Sequence, residues 1–504
     1  MTAGAPATSG LPRRVFWVTF VGMLLAQLAW VLALPAFQGI DEFDHVFKAE
    51  SVAHGQIAPP TAKTPHGRGM LVEARADVVD AASDVCASYP YTGHDNCYPV
   101  SGAGDGLVTI ASAAASYNPV WYAVMGVVAL PFSGDAADYA MRLITCLACA
   151  VMCAWAAALT TLWSRYRWPL VSFLLASTPV LVYSTSLATP NGIEYAGAMV
   201  TWAAALTLAR PTVTQLAVTP LLLGSFAVCI AHSTGPMWLF FILLTTFLMA
   251  PVSHWTQLIR EHRGAAVTTV LGVGAIAASS VLYVALAKTN APENPGRLFD
   301  FDAPLVAIQN VLWPFQATAA FPMREQPAPP VVYALWMIPL ISLLALATRR
   351  ASRRTRVASL VLVVASVVIP TALTAATFSL LGTAWQGRYS LPLYVGLVLI
   401  AGWELGDRPT PRRAHIRVLM MMLAVAAGVS VAHVARDIVP TRVGVSAAEL
   451  VPGGWLAVAV LAAIGTLLPV TLFHAPSRVP QSSQHETAEL GSKEGRPSLV
   501  PVVS

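Results

Sequence analysis

Long apolar stretches alternate with short polar segments along almost the whole chain. A helix needs about 20 apolar residues to cross the hydrocarbon core of a bilayer. The shorter apolar stretch 119–132 is bounded by Pro119 and Pro131, which predicts a helix that lies on the membrane surface. Twelve longer stretches predict membrane-spanning helices: 15–37, 139–162, 168–188, 192–209, 214–231, 235–252, 265–287, 331–348, 357–380, 388–404, 416–434 and 453–473.

The composition excludes a soluble protein. Hydrophobic residues make up 56% of the 504 residues and charged residues only 11%, whereas soluble domains contain about 25% charged residues. The chain therefore cannot cover a globular surface with charge, and a disordered protein and a coiled coil are excluded as well. We predict an all-α integral membrane protein whose first partner is the lipid bilayer.

The arginines predict which side of the membrane each segment faces. Lys and Arg are enriched in cytoplasmic loops; with residues 1–14 inside, the clusters at 349–356 and 408–417 also fall inside. Both termini are then cytoplasmic, 38–138 and 288–330 are large extracytoplasmic loops, and the cytoplasmic (plasma) membrane is the predicted location. No basic patch is interleaved with stacking aromatic residues, so we expect no nucleic-acid partner.

These assignments divide the chain into five parts. The cytoplasmic N-terminus, 1–14, precedes the first transmembrane helix, 15–37, and the extracytoplasmic loop, 38–138, contains the surface helix. The transmembrane helical bundle follows at 139–473. The polar tail at 474–504 is predicted to be disordered because it is too poor in apolar residues to form a core.

Two cysteines, Cys86 and Cys97, lie in the first extracytoplasmic loop. In this topology they face an oxidising compartment, where disulfides form and persist. A disulfide that closes so short a loop would stabilise the fold by about 3 kcal/mol. We predict this disulfide, and two free thiols are the alternative.

An acidic cluster follows the first predicted span directly and comprises Asp41, Glu42, Asp44 and His45. In a helix, Asp41, Asp44 and His45 would share one face. Adjacent carboxylates near a bilayer raise each other's pKa, so that one of them can act as a general base. Two alternatives stay open: an ordinary acidic helix start near the positive end of the dipole, and a divalent-cation site whose metal is unknown.

A second polar cluster lies at the predicted outer end of the tenth span and consists of Gln386, Arg388 and Tyr389. Arg388 is the only charged residue between Val357 and Gly402. A lone guanidinium at the hydrocarbon boundary is costly unless it meets an anion, and phosphate is its natural bidentate partner. The alternatives are snorkelling to phospholipid headgroups and a salt bridge to a carboxylate of an outer loop.

The other polar turns of interest lie on the same predicted side of the membrane. Asn191 lies between the third and fourth spans, and His232, which we interpret as structural, lies between the fifth and sixth. The middles of the spans contain almost no ionisable residues, whereas proton- and ion-coupled transporters usually bury such residues at the midplane. We therefore expect any site at the outer membrane–water boundary.

Three motifs resemble a known family. They are the Gly-x-Asp-Glu-x-x-His stretch from Gly39 to His45, the Gln-Gly-Arg-Tyr-x-x-Pro stretch from Gln386 to Pro392, and the Pro-Asn-Gly turn at 190–192. They resemble the bacterial predicted-membrane-protein family catalogued as domain of unknown function twenty-one forty-two. That family in turn resembles the GT-C class of lipid-linked glycosyltransferases.

The GT-C resemblance implies a reaction and its partners. An acidic residue of the first outer loop acts as base on the acceptor in that class, and here it would be Asp41 or Glu42. The donor would be a polyprenyl-phosphate sugar, the acceptor a glycan or a lipid, and the process envelope glycan assembly at the outer face. The resemblance implies no certain cofactor, and a divalent cation is the one candidate.

The same hypothesis assigns substrate binding to the remaining polar residues of the clusters. They are Asp44, His45, Asn191, Gln386, Arg388 and Tyr389. The alternative is a non-enzymatic multi-pass membrane protein, either a lipid or glycan transporter or an assembly scaffold. The missing midplane charges disfavour transport, and a scaffold would not need an arginine beside paired acids at the boundary.

Overall fold

Helices dominate the part of the chain that the computed structural model describes. That part comprises residues 10–58, 60, 69–89, 97–102, 106–164, 166–210, 215–287, 303–323, 326–381, 385–409 and 412–473. The predicted tail at 474–504, residues 1–9 of the predicted N-terminus and residues 288–302 of the second outer loop lie outside it.

The first helix is followed by a mixed segment of helices and strands. The start of its last helix is capped by Asn118, whose side chain accepts the N–H of Val120 at 3.1 Å, and Pro119 suits a first helical turn because its nitrogen needs no acceptor. The elements are α1 Gly10–Ala33, α2 Glu42–Ala53, β1 Met70–Arg75, α3 Ala76–Ala87, β2 Ser101–Gly102, β3 Leu107–Ser112 and α4 Pro119–Ala129.

The rest of the described chain is a bundle of helices. A 3-10 turn at Gly387–Ser390 precedes the third α-helix from the end. The helices up to the second outer loop are α5 Gly134–Thr160, α6 Trp168–Ala176, α7 Pro179–Ser184, α8 Pro190–Leu208, α9 Gln215–Ala231, α10 Gly235–Met249, α11 Val252–Glu261 and α12 Arg263–Ala287. Those after it are α13 Ala303–Thr318, α14 Pro330–Arg350, α15 Arg353–Leu381, α16 Leu391–Glu404, α17 Arg413–His433 and α18 Gly454–Leu467.

Seven helices of the described residues are long and apolar enough to cross a membrane, and up to eight if α10 and α11 count as one bent span. The protein thus has the helices of a multi-pass membrane protein. Other predicted spans correspond to shorter elements. The third, 168–188, is divided into α6 and α7 before Pro179, because proline removes a helical hydrogen bond and clashes with the preceding turn. The count of twelve spans stays a prediction.

The all-α prediction is wrong for the segment after α1. β1, β3 and β2 form an antiparallel sheet in that order, in which Met70 pairs with Ser112 and Arg75 with Leu107. Val72 and Ala74 of β1 are buried while their neighbours are half-buried, which is the alternation expected of a strand with one covered face. Each of the two long strands has only six residues, and so short a pattern is easily overlooked.

α2 is buried along almost its whole length and is fixed from several sides. It packs closely on α4, where a Cβ at Gly126 would collide with the carbonyl oxygen of Ala49. Glu50 near its C-terminus forms an ion pair with Arg75 at 2.7 Å. The segment before β2 is joined to α3 by a disulfide between Cys86 and Cys97, with a Cα–Cα distance of 5.5 Å. The close approach of α4 and the ion pair with Arg75 hold α2 in place.

Candidate functional site

Asp41 occupies the turn between α1 and α2, and its backbone is left-handed, with φ 58° and ψ 13°. Asp visits this conformation more readily than most residues because its short side chain can hydrogen-bond locally. Its carboxylate points towards the 3-10 turn before α16, where Nη2 of Arg388 lies 3.7 Å from Oδ2. The side chain of Asp41 is 26% exposed and that of Arg388 8%. The carboxylate of Asp41 is therefore partly accessible to solvent and lies next to a buried cation.

Glu42, the next residue, is fully buried and hydrogen-bonded on both oxygens. Arg142 of α5 donates to it from Nε at 2.9 Å and from Nη2 at 2.6 Å. The backbone N–H groups of Gly39 and Ala188 donate at 2.8 Å each. Arg142 also forms an ion pair with Asp138 at 3.0 Å. Glu42 therefore fixes the start of α2 to α5 and to the turn before α8.

The 3-10 turn that presents Arg388 is locked against α13. The N–H of Gly387 donates to Oε1 of Gln316 at 2.9 Å. A Cβ at Gly387 would collide with the carbonyl oxygen of Trp313, so only glycine permits this approach. The Nε of Arg388 has no hydrogen-bond partner among the described residues. The turn therefore holds a buried guanidinium whose Nε–H can donate a hydrogen bond to a ligand.

Three tyrosines surround this guanidinium. Tyr183, Tyr195 and Tyr389 all interact electrostatically with the guanidinium, and the Tyr183 hydroxyl donates to the carbonyl of Pro322 at 2.9 Å. The guanidinium carbon of Arg388 lies 5.4 Å from the ring centre of Tyr389. Tyr195 is fully buried, and within the described chain its hydroxyl has no hydrogen-bond partner. Buried arginine and hydroxyl donors of this kind suit an oxyanion such as phosphate.

Aromatic rings extend the site from α2 to the 3-10 turn. One helical turn after Asp41, the ring of His45 lies 5.8 Å from that of Tyr117. Tyr117 lies 5.4 Å from His232, and His232 lies 5.9 Å from Tyr389. Because Tyr389 directly follows the arginine, these contacts and the ion pair form a closed circuit. The circuit brings four separate segments of the chain to one place.

Two members of this circuit, Tyr117 and His232, are polar but uncharged. Burial and the nearby charge of Arg388 lower the pKa of His232 from 6.5 to about 4, so its imidazole is neutral at physiological pH. Burial raises the pKa of the Tyr117 hydroxyl above its usual value, so this group stays protonated. The Tyr117 oxygen and the His232 Nε2 are 3.4 Å apart, within hydrogen-bond distance.

The other predicted substrate-binding residues, Asp44, Asn191 and Gln386, differ in how they are bound by the protein. Oδ1 of Asp44 accepts the N–H of Ala113 at 2.7 Å, and its carbonyl accepts the Ser112 hydroxyl at 2.7 Å. Asn191 is buried in the first turn of α8. Gln386 precedes the 3-10 turn, and among the described residues its Oε1 has no hydrogen-bond partner.

The predicted cation site is not formed. In the described part of the chain, no three His, Cys, Asp or Glu residues are arranged to hold a metal ion. Asp44 Oδ1 is directed at a backbone N–H, and the Nδ1 of His45 lies 2.7 Å from the Tyr122 hydroxyl. These two side chains therefore hold α2 against its neighbours.

Sequence reasoning gave Arg142 and Tyr117 no role and interpreted His232 as purely structural. Arg142 carried a usable signal, because an arginine within an apolar helix of 27 residues must find an anionic partner. Tyr117 and His232 carried none, because only the fold brings their turns next to Arg388.

The chain matches the family model described as predicted membrane protein (DUF2142) over residues 24–397. No curated protein and no solved structure matches it. The matched region begins within α1 and ends within α16, so it contains Asp41, Arg388 and the whole circuit between them. Because the match covers well over half of the 504 residues, the chain belongs to the predicted-membrane-protein family DUF2142.

Proposed function

We propose that the protein is a glycosyltransferase that moves a sugar from a polyprenyl-phosphate donor to a glycan or lipid acceptor in envelope glycan assembly. The observation that carries the proposal is the pair of Asp41 and Arg388, a partly exposed carboxylate 3.7 Å from a buried guanidinium. The reaction needs a base for the acceptor hydroxyl and a cation for the phosphate that leaves. This pair offers both at one opening.

The proposed reaction inverts the configuration of the transferred sugar. The acceptor oxygen attacks the anomeric carbon from the face opposite the phosphate. The bond between the anomeric carbon and the phosphate oxygen breaks, and polyprenyl phosphate leaves with the electron pair. Asp41 takes the proton of the acceptor hydroxyl, so that charge and atoms balance without a further reactant.

We assign the base to Asp41 rather than Glu42 because the two carboxylates differ in access. A general base must come within about 2.6–3.2 Å of the group that it deprotonates. Glu42 is 0% exposed and its oxygens already accept hydrogen bonds from Arg142 and two backbone N–H groups. Asp41 keeps 26% of its side chain exposed. Glu42 then has the role of holding the turn on which Asp41 stands.

Arg388 would bind the donor phosphate. Its distance of 3.7 Å from Asp41 exceeds the roughly 2.7–2.9 Å of a charge-assisted hydrogen bond. A phosphate can therefore take the guanidinium donors and leave Asp41 to accept a proton. Tyr389 would donate a hydrogen bond to the phosphate, and the amide of Gln386 would bind phosphate or sugar hydroxyls.

The proposal places the site at the outer face of the cytoplasmic membrane, with twelve spans and both termini inside. Lipid-linked sugars reach that face, whereas cytosolic nucleotide sugars do not. Reporter fusions placed after Arg350 and after Ser504 are expected to indicate the cytoplasm. An external signal at either position would contradict this orientation and the outward site with it.

The proposal is tested with the purified full-length protein, a panel of polyprenyl-phosphate sugars as donors, and glycans and lipids with free hydroxyl groups as acceptors. We expect the wild type and Asp80→Asn, a control at an exposed aspartate of α3, to release polyprenyl phosphate from at least one donor. Asp41→Asn should express equally and release it about 10²–10⁴-fold more slowly, the usual contribution of a general base. Equal release by Asp41→Asn, or none by the wild type with any donor, would favour the transporter or scaffold alternative.

A further inference from the structure

Helix α11 leaves the bundle at a sharp angle. The axes of α10 and α11 differ by 102° across a break of a few residues at Pro251. α10 begins beside the candidate site, because the Gly235 N–H donates to the carbonyl of His232, whose ring contacts Tyr389. If α10 crosses the bilayer from the site, it ends at the opposite membrane face, and α11 then runs nearly parallel to that face.

The two sides of α11 differ in chemistry. Val252, Trp255 and Ile259 recur at spacings of three and four residues and share one side, whereas Gln257 and Arg260 lie on the other. No residue of α11 is buried. Val252 is 63% exposed and Ile259 52%. A soluble protein would cover such an apolar stripe, so its exposure points to a lipid environment.

Contacts at its start hold α11 at the level of the membrane boundary. The Trp255 indole N–H donates to the carbonyl of Phe247 at 3.1 Å, and the two rings stack at 5.8 Å. The Nε2 of His254 lies 2.9 Å from the carbonyl oxygen of Leu208, at the end of α8. Tryptophan is enriched at this depth because its ring is apolar and its N–H is polar.

Arginines stand at both ends of α11. Arg354, at the start of α15, donates to the carbonyl of Ala250 at 3.0 Å, directly at the bend. Arg260 and Arg263 lie at the other end, and all three arginines are exposed. Glu261 is the one acidic residue of α11. An apolar stripe flanked by basic residues is the pattern of helices that bind anionic lipid surfaces.

We propose that α11 lies flat in the leaflet opposite the candidate site and that the arginines at its two ends, Arg260, Arg263 and Arg354, bind anionic phospholipid headgroups. The lipid bilayer is the partner that would cover the apolar stripe of α11, because the bilayer also surrounds the adjoining helix α10. An anionic headgroup complements the positive charge of the arginines. The stripe enters the acyl boundary, and the polar side faces water. The interaction anchors the end of α10, whose other end carries His232.

The depth of α11 is measured with spin labels on the full-length protein in nanodiscs. Ile259→Cys and its matched control Gln257→Cys receive the label, and the four free cysteines among the described residues are buried and do not compete. We expect the label at 259 to favour oxygen over a water-soluble nickel complex severalfold more than the label at 257. Equal accessibility at both positions, or protection of both from nickel as in a re-entrant loop, would overturn the proposal.

The headgroup preference is measured by native mass spectrometry with phosphatidylglycerol and phosphatidylcholine. An arginine near a charged membrane surface changes anionic-lipid binding about fivefold. We expect Arg260→Gln and Arg263→Gln each to reduce the preference for phosphatidylglycerol by that factor. Arg412→Gln and Arg413→Gln, exposed arginines at the start of α17, serve as controls and should not change it. An equal loss in both pairs, or none in either, would contradict specific binding at α11.

Discussion

The carboxylate of Asp41 lies 3.7 Å from the guanidinium of Arg388, although the two residues stand near opposite ends of the family-matched region. Their contact depends on two short turns, the left-handed turn before α2 and the 3-10 turn before α16. Each turn is fixed by neighbours other than the pair itself. Substitutions can therefore separate the groups that would meet a substrate from the groups that hold the turns.

Glu42→Gln tests the structural role that we assign to Glu42. Removing its charge leaves Arg142 buried with only Asp138 as an ionic partner. Breaking a buried ion pair costs about 3–5 kcal/mol, so the thermal unfolding midpoint of Glu42→Gln in detergent should fall clearly below that of wild type. Asp80→Asn, the control at an exposed position of α3, should leave the midpoint nearly unchanged. The opposite order of stabilities would refute the assignment.

The sequence predicted the two polar clusters, but it did not predict that Asp41 and Glu42 have different roles. The charge of Arg388 in an otherwise apolar stretch, and the acids after α1, were visible as exceptions to a simple pattern. Glu42 differs from Asp41 because its carboxylate is bound by Arg142, a residue one hundred positions further along the chain. Contacts between distant segments leave no periodic signal, which is also why the aromatic circuit was missed.

The fold shows the same limit. Long apolar stretches predicted α1, α5 and α12 because hydrophobic length alone specifies such helices. The sheet formed by β1 and β3 was missed because its short strands are stabilised by pairing and by packing against α2. The bend between α10 and α11 lies at Ala250 and Pro251, where the sequence pattern predicts only the end of a span.

Lys48→Met should stabilise the protein. Lys48 is fully buried in α2, and its ammonium has no hydrogen-bond partner among the described residues. Burial lowers its pKa from 10.5 to about 8. In the unfolded chain Lys48 has its ordinary pKa of 10.5, so the unfolded chain binds the proton more readily than the folded protein. The free energy of unfolding therefore falls as the pH drops from 10.5 to about 8. Below about pH 8 the whole destabilisation by the buried ammonium is present.

That cost is on the order of 3 kcal/mol at neutral pH. Lys48→Met should therefore raise the thermal midpoint at pH 7 and abolish the gain in stability between pH 8 and 10.5. Lys48→Arg keeps the buried charge and should show no such rise. A lower midpoint for Lys48→Met would mean that the amine makes a stabilising contact.

His232→Gln should change how stability depends on acid. The pKa of His232 is lowered to about 4 in the folded protein, from 6.5. The unfolded chain then binds the proton more readily, so this residue makes stability fall as the pH drops from 6.5 towards 4. His232→Gln should reduce the dependence of the thermal unfolding midpoint on pH over this range. His415→Gln, at an exposed position, should not change this dependence. An unchanged slope in His232→Gln would contradict the buried neutral imidazole.

The disulfide between Cys86 and Cys97 should survive in protein taken from intact cells. Peptide mapping without reductant is expected to find the two peptides joined. Replacing both cysteines by serine should lower the free energy of unfolding by about 3 kcal/mol, because the unfolded chain regains the freedom of the open loop. Alkylated, free thiols at both positions would show that packing alone holds this loop.

The kinetic constants of Asp41→Asn and Arg388→Lys with a polyprenyl-phosphate sugar test the central claim most directly. Asp41→Asn should lower kcat about 10²–10⁴-fold and leave the donor KM within a few-fold, because the base acts on the acceptor. Arg388→Lys keeps the charge but loses the planar fork, so it should raise the donor KM. If both variants keep wild-type kcat and KM, then Asp41 and Arg388 are not the centre of the reaction.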